Sequence, residues 1–106
     1  MAKEKILVVE QDLVSLSRMY LALIHRQFKT EACNQPDEIA ARIKRFKPAV
    51  IILNSKEYNT INNKLKIPAV VLYERAGDIA VLNYGDTELK KPVQIDELIK
   101  AVEKIV

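Results

Sequence analysis

Lys5-Ile6-Leu7-Val8-Val9-Glu10-Gln11-Asp12 is the stretch on which the fold turns. Four apolar residues run without a break, the pattern of a strand buried on both faces, and three polar residues end it. The pattern returns at Pro48-Ala49-Val50-Ile51-Ile52-Leu53-Asn54 and at Ile67-Pro68-Ala69-Val70-Val71-Leu72-Tyr73. Strands are therefore expected at Lys5–Val9, Ala49–Leu53 and Ala69–Leu72. A weaker, partly polar one is expected at Lys29–Cys33, suited to a sheet edge, and a short one at Thr87–Lys90.

Helical periodicity fills the gaps. Leu13–Arg26 reads as a helix capped by Asp12, with Leu13, Leu16, Tyr20, Leu23 and Ile24 as its apolar stripe. Pro36 opens a second helix, and Ile39, Ile43 and Phe46 form its inner face before Lys47-Pro48 ends it. Ile95–Val106 is amphipathic, with Ile95, Leu98, Ile99, Val102, Ile105 and Val106 at helical spacing. Strands alternating with helices make a parallel sheet with right-handed crossovers, and the chemistry of such sheets sits at the carboxyl ends of the strands. Here those ends are Glu10-Gln11-Asp12, Asn54-Ser55, Tyr73-Glu74 and Lys90-Lys91-Pro92.

Composition narrows the functions available. The chain has 106 residues, enough for one domain spanning 1–106. With 49% apolar and 29% charged residues it is neither disordered nor collagen-like. No apolar run approaches the roughly 20 residues of a membrane span, and the N-terminus lacks a secretory pattern, so a cytoplasmic setting is expected. Gly77 and Gly85 are the only glycines, which excludes a glycine-rich phosphate loop. One cysteine, Cys33, and one histidine, His25, exclude an internal disulfide, a Cys/His nucleophile pair and a Cys/His metal cage. Cys33 reads as a packing residue, and His25 as a side chain suited to the helix C-terminus.

The four strand blocks, in this order and followed by Lys91-Pro92 and a final amphipathic helix, resemble a response-regulator receiver domain over the whole chain. The resemblance implies a flavodoxin-like doubly wound sheet of five parallel strands, order 2-1-3-4-5. It also implies an acidic pair that binds Mg²⁺, a phosphoacceptor aspartate, a small hydroxyl, a lysine before a cis proline and an aromatic switch residue. Matched position by position, the acidic pair becomes Glu10 and Gln11, the phosphoacceptor Asn54, the hydroxyl Tyr73 and the switch residue Leu89. Only Lys91 and Pro92 keep the pattern. A carboxamide does not attack phosphorus as a carboxylate does. One carboxylate facing one lysine attracts a dication far less than three would. The expectation is a degenerate phosphorylation pocket of Glu10, Gln11, Asn54, Tyr73 and Lys91, with a Glu10–Lys91 contact, no Mg²⁺, no other cofactor and no catalytic residue. An inert polar cluster kept for the fold is preferred over a residual switch.

The stretches Ser55–Pro68 and Glu74–Asp86 are short for full crossover helices. At most two helical turns are expected in the first, where Asn59–Asn63 is poor helix material, and a short helix at Asp78–Tyr84 in the second. Thin cover would leave an apolar surface, placed at Tyr58, Ile61, Leu65, Ile79, Leu82 and Tyr84, for another protein, an output domain of the same chain or a second copy in a homodimer. The leading expectation is a phosphorylation-independent interaction module in signal transduction rather than an enzyme. The alternatives are a phosphorelay receiver with a non-standard acceptor (Ser55, Asp12 or Glu74) and a nucleic-acid-binding adaptor. The basic end Arg42, Lys44, Arg45 and Lys47 prompts the last, but Asp37 and Glu38 lie in the same helix and the net charge is only +3.

Overall fold

Alternation along the strands organises the molecule. In a computed structural model, which describes residues 4–61 and 66–106, strands β1 (Lys5–Val9), β2 (Lys29–Cys33), β3 (Val50–Asn54), β4 (Ala69–Tyr73) and β5 (Thr87–Lys90) form one parallel sheet. Its order is β2-β1-β3-β4-β5, the doubly wound arrangement expected. Side chains of a strand point alternately to its two faces. Ile6, Val8, Val50, Ile52, Val70 and Leu72 therefore enter one core, and Leu7, Val9, Ile51, Leu53, Ala69 and Val71 enter the other.

Helices α1 (Leu13–His25) and α4 (Ile95–Ile105) cover the first face. Asp12 starts α1 by accepting the Val14 N–H (3.2 Å) and the Ser15 hydroxyl (3.0 Å). The helix ends as Gln27 takes the left-handed conformation (φ 70°) and the N–H groups of Gln27 and Phe28 reach back to the carbonyls of Ile24 and Leu23. The apolar stripe of α1 differs from the one expected. Leu16, Met19 and Leu23 are buried, whereas Leu13 and Ile24 are exposed. The Leu16–Met19–Leu23 row is the one over the sheet, and Leu13 and Ile24 lie about 80–100° around the helix from its middle. In α4, Leu98, Ile99 and Val102 are buried, and Val106 is exposed at the end.

The other face is covered by less. A 3₁₀ turn (Pro36–Glu38) leads into α2 (Ile39–Phe46), and α3 (Ser55–Ile61) follows β3 directly with two turns. Ile39 and Tyr58 are buried, and Ile43, Phe46, Ile61, Ile67 and Ile79 pack around them. No helix forms at Asp78–Tyr84. Longer-range bonds hold that segment instead. The Tyr58 hydroxyl donates to Asp86 Oδ2 (2.6 Å) and accepts the Asn83 N–H (2.9 Å), while Asp86 Oδ1 accepts the Ala69 N–H (2.9 Å). Asn59 donates to the Asp78 carbonyl and accepts the Ala80 N–H. The Asp78 carboxylate takes the N–H groups of Glu74 and Arg75, which hold it below the usual aspartate range.

These bonds revise the expected interaction surface. Tyr58, 1% exposed, belongs to the core, with its hydroxyl tied to Asp86 and Asn83. Ile61 and Ile79 are half-buried against the same core. Leu65 lies outside the described residues. Only Leu82 and Tyr84 of that set are exposed, together with Val81.

The basic end of α2 is partly neutralised. Glu31 accepts from both Arg42 and Arg45 at 2.7 Å, and Arg42 also reaches Glu38 at 3.2 Å. Burial pushes the Glu31 carboxyl up, but the two guanidinium groups outweigh it and hold the carboxyl below its ordinary value. Among the described residues no helix is long and apolar enough to cross a membrane.

Candidate functional site

Parallel strands all end on one edge, so the residues that follow them meet there. Glu10 follows β1 and keeps its register through an N–H bond to the Cys33 carbonyl (3.0 Å). Asn54 ends β3 and Tyr73 ends β4. Lys91 follows β5, and its N–H donates to the Tyr73 carbonyl (2.7 Å). The Lys91–Pro92 peptide is cis.

Glu10 is the centre of this edge. It is 4% exposed, and its carboxylate accepts three bonds. Lys91 Nζ donates to Oε1 at 3.1 Å, Asn54 Nδ2 to Oε2 at 3.0 Å and the Asp12 N–H to Oε2 at 3.3 Å. A buried carboxylate needs such partners, since an unpaired one loses hydration with nothing in return. The Asn54 amide turns its nitrogen to Glu10 because an ionised carboxylate can only accept. Its other end, Oδ1, is buried without a hydrogen-bond partner among the described residues. An aspartate at this position would set an oxygen anion against Glu10 Oε2, so the carboxamide is the side chain that suits the pocket as built.

The structure thus brings Glu10, Asn54 and Lys91 into direct contact. Tyr73 joins them through its backbone, and its side chain is half-buried. Gln11 is exposed and lines a different space, a cleft of about 820 Å³ between α2 and α3 floored by Ile39, Ile43, Ile61 and Ile67. Leu89 is half-buried against the core beneath α4. The space beside the Glu10–Lys91 pair, bounded also by Arg18, Met19 and Pro92, measures about 70 Å³. That is room for about two water molecules.

Glu57, which lines the same cleft as Gln11, is a perturbed carboxyl that the sequence reading missed. It lies in the first turn of α3. Burial pushes its carboxyl above the ordinary glutamate value, against smaller opposing effects of its own backbone N–H and of Lys56; the Glu10 charge adds a little and Lys91 subtracts less. Only the fold brings α3 under the influence of the Glu10–Lys91 pair, so no spacing in the sequence signals it.

The residues fit a Mg²⁺ ion poorly. Mg²⁺ asks for near-octahedral oxygen donors and is held through one or two free carboxylates together with waters. Both oxygens of Glu10 are engaged, one by an ammonium group, and Gln11 faces the cleft. Among the described residues no group of three or more His, Cys, Asp or Glu side chains is arranged to hold a metal ion.

No family model and no curated protein matches the sequence. Solved structures do match. A response regulator from Desulfuromonas acetoxidans superposes with a TM-score of 0.80 at 21% identity, covering 96% of this chain and 95% of that one. A CheY-like receiver domain protein from Methanospirillum hungatei JF-1 gives 0.81 at 19% identity, with 97% and 94% covered. NtrX from Brucella abortus, solved with ATP, gives 0.78 at 19% identity and covers 97% of this chain but 26% of NtrX. The chain has the fold of a response-regulator receiver domain.

Proposed function

We propose that this chain is a receiver-type domain that no longer accepts a phosphoryl group and serves as a protein–protein interaction module in cytoplasmic signal transduction. The observation that carries this reading is the closed cluster of Glu10, Asn54 and Lys91. A carboxamide stands at the acceptor position, and the lysine is spent on a neighbouring carboxylate. Neither catalysis nor a Mg²⁺ cofactor belongs to the reading.

The alternative acceptors are poorly disposed for transfer. Asp12 uses both carboxylate oxygens to cap α1. Ser55 has no general base bonded to its hydroxyl among the described residues, and Glu74 is exposed beyond the end of β4. Pairing of Arg42 and Arg45 with Glu31 weakens the case for nucleic acid. The partner is then another protein or an output domain. NtrX gives a precedent for a fold of this kind inside a longer chain.

Titration with Mg²⁺ followed by ¹H–¹⁵N NMR tests the pocket. Weak, non-saturating shifts are expected at Glu10, Asn54 and Lys91. Tight, saturable shifts at Glu10 and Asn54 would overturn the reading.

A further inference from the structure

Glu10 holds two side-chain nitrogens at once. Lys91 Nζ lies 3.1 Å from Oε1, and Asn54 Nδ2 lies 3.0 Å from Oε2. One carboxylate, 4% exposed, thus sets a primary amino group and a carboxamide side by side, at the end of β3 and just past β5. Free in water these two groups scarcely react. Here they are already collected, and the group between them can both take and give a proton. Asn54 Oδ1, buried with no hydrogen-bond partner among the described residues, leaves the carboxamide held by its nitrogen.

We propose that Lys91 and Asn54 join through an isopeptide bond, Nζ to Cγ, with Glu10 as the proton carrier. Nζ first gives a proton to Oε1 along the bond between them, which turns the ion pair into an amine and a carboxylic acid without changing the net charge. The free electron pair on Nζ attacks Asn54 Cγ, and the carbonyl pair moves onto Oδ1. Glu10, bonded to both nitrogens, passes its proton to Nδ2. A second Nζ proton follows the same route, the pair on Oδ1 returns to Cγ, and the Cγ–Nδ2 bond breaks. Ammonium leaves, Glu10 is a carboxylate again, and no oxidant, reductant or outside reagent takes part. The space of about 70 Å³ beside Glu10 and Lys91 has room for a leaving group the size of a water molecule.

Oδ1 meets no donor among the described residues, and lack of an oxyanion donor slows acyl transfer by about 10²–10³-fold. The reaction is therefore slow, and each chain undergoes it once. Freshly folded chain holds the ion pair, and aged chain holds the amide, which ties β3 to β5 and seals the pocket. The inference rests on the closed pocket proposed above, yet the two fail separately: mass reports the bond, and Mg²⁺ titration of fresh chain reports the pocket.

Intact-mass measurement of the full chain, stored folded at pH 8 and sampled over time, tests it. A species lighter by one ammonia should accumulate at a rate independent of protein concentration. Cleavage after glutamate should release one branched peptide joining residues 39–57 to 89–97. Lys91→Arg keeps the positive charge but offers no nucleophilic amine, and Glu10→Gln cannot carry protons. Both variants should keep their full mass, with unchanged far-ultraviolet circular dichroism spectra. An aged chain that keeps its full mass overturns the proposal. So does loss of ammonia without the branched peptide, as a succinimide at an asparagine would give, or conversion of Asn54 to an aspartate by water. A branched peptide that forms as fast in Glu10→Gln overturns it too.

Discussion

Replacing Lys91 with methionine removes the one cation bonded to Glu10 among the described residues while keeping most of the side chain's bulk. Truncating one partner of a buried ion pair costs about 3–5 kcal/mol. An exposed pair contributes about 0–1 kcal/mol. This pair lies between those limits, since the Glu10 side chain is 5% exposed and that of Lys91 is 25% exposed. Glu10 would also keep its bonds from Asn54 Nδ2 and the Asp12 N–H. We therefore expect Lys91→Met to cost about 2 kcal/mol, or about 10 °C in Tm for a domain of this size. Urea unfolding at pH 7 measures it. Adding Glu10→Gln to Lys91→Met should restore most of the loss, because the buried charge goes with its partner. Asn54 can then donate to the new amide oxygen. A loss below about 0.5 kcal/mol for Lys91→Met, with no coupling to Glu10, would show that the pair behaves as a surface contact and refute the reasoning.

Three further outcomes follow from the geometry. Tyr58→Phe should cost about 1–3 kcal/mol, because it leaves Asp86 short of a donor and the Asn83 N–H short of an acceptor; hydrogen exchange should show protection lost at Asn83 and kept in β1 and β3. Glu57→Gln should stabilise at neutral pH. The folded carboxyl sits above its ordinary value of 4.5, so the folded state holds that proton more tightly and the parent loses stability as pH rises from 4.5 through the raised value. The gain should vanish in urea titrations below pH 4.5, and a gain that persists there would contradict this cause. Gln27→Gly should stabilise by about 1 kcal/mol, since Gln27 holds a left-handed backbone that glycine adopts without strain; thermal melts read it directly.

The sheet was legible because buried parallel strands write themselves as unbroken apolar runs. The boundaries of β1, β2 and β5 are those expected, β3 is shifted by one residue to Val50–Asn54, and β4 runs one residue further, to Tyr73. The meeting of Glu10, Asn54 and Lys91 was legible for the same reason, since the topology fixes where strand ends converge. The inner face of α1 was not. A helix with two apolar faces satisfies helical periodicity twice, and the period does not say which face meets the sheet. Segment 74–86 was also misread, because what shapes it is remote in sequence. Asp86 reaches Tyr58 across 28 residues, and Asn59 reaches Asp78 and Ala80 across 19 and 21. Such bonds override local helix preference and leave no periodic trace. Glu57 was missed for a related reason. Its burial and its neighbours exist only once α3 lies beside the strand ends.

The central claim is that the pocket at the strand ends no longer takes a phosphoryl group. Incubating the full chain with a small-molecule phosphodonor and Mg²⁺, then measuring its intact mass, addresses this most directly. The account predicts an unchanged mass. A labile adduct of one phosphoryl group, mapped to Ser55, Asp12, Glu74 or any other acceptor near Lys91, would contradict it.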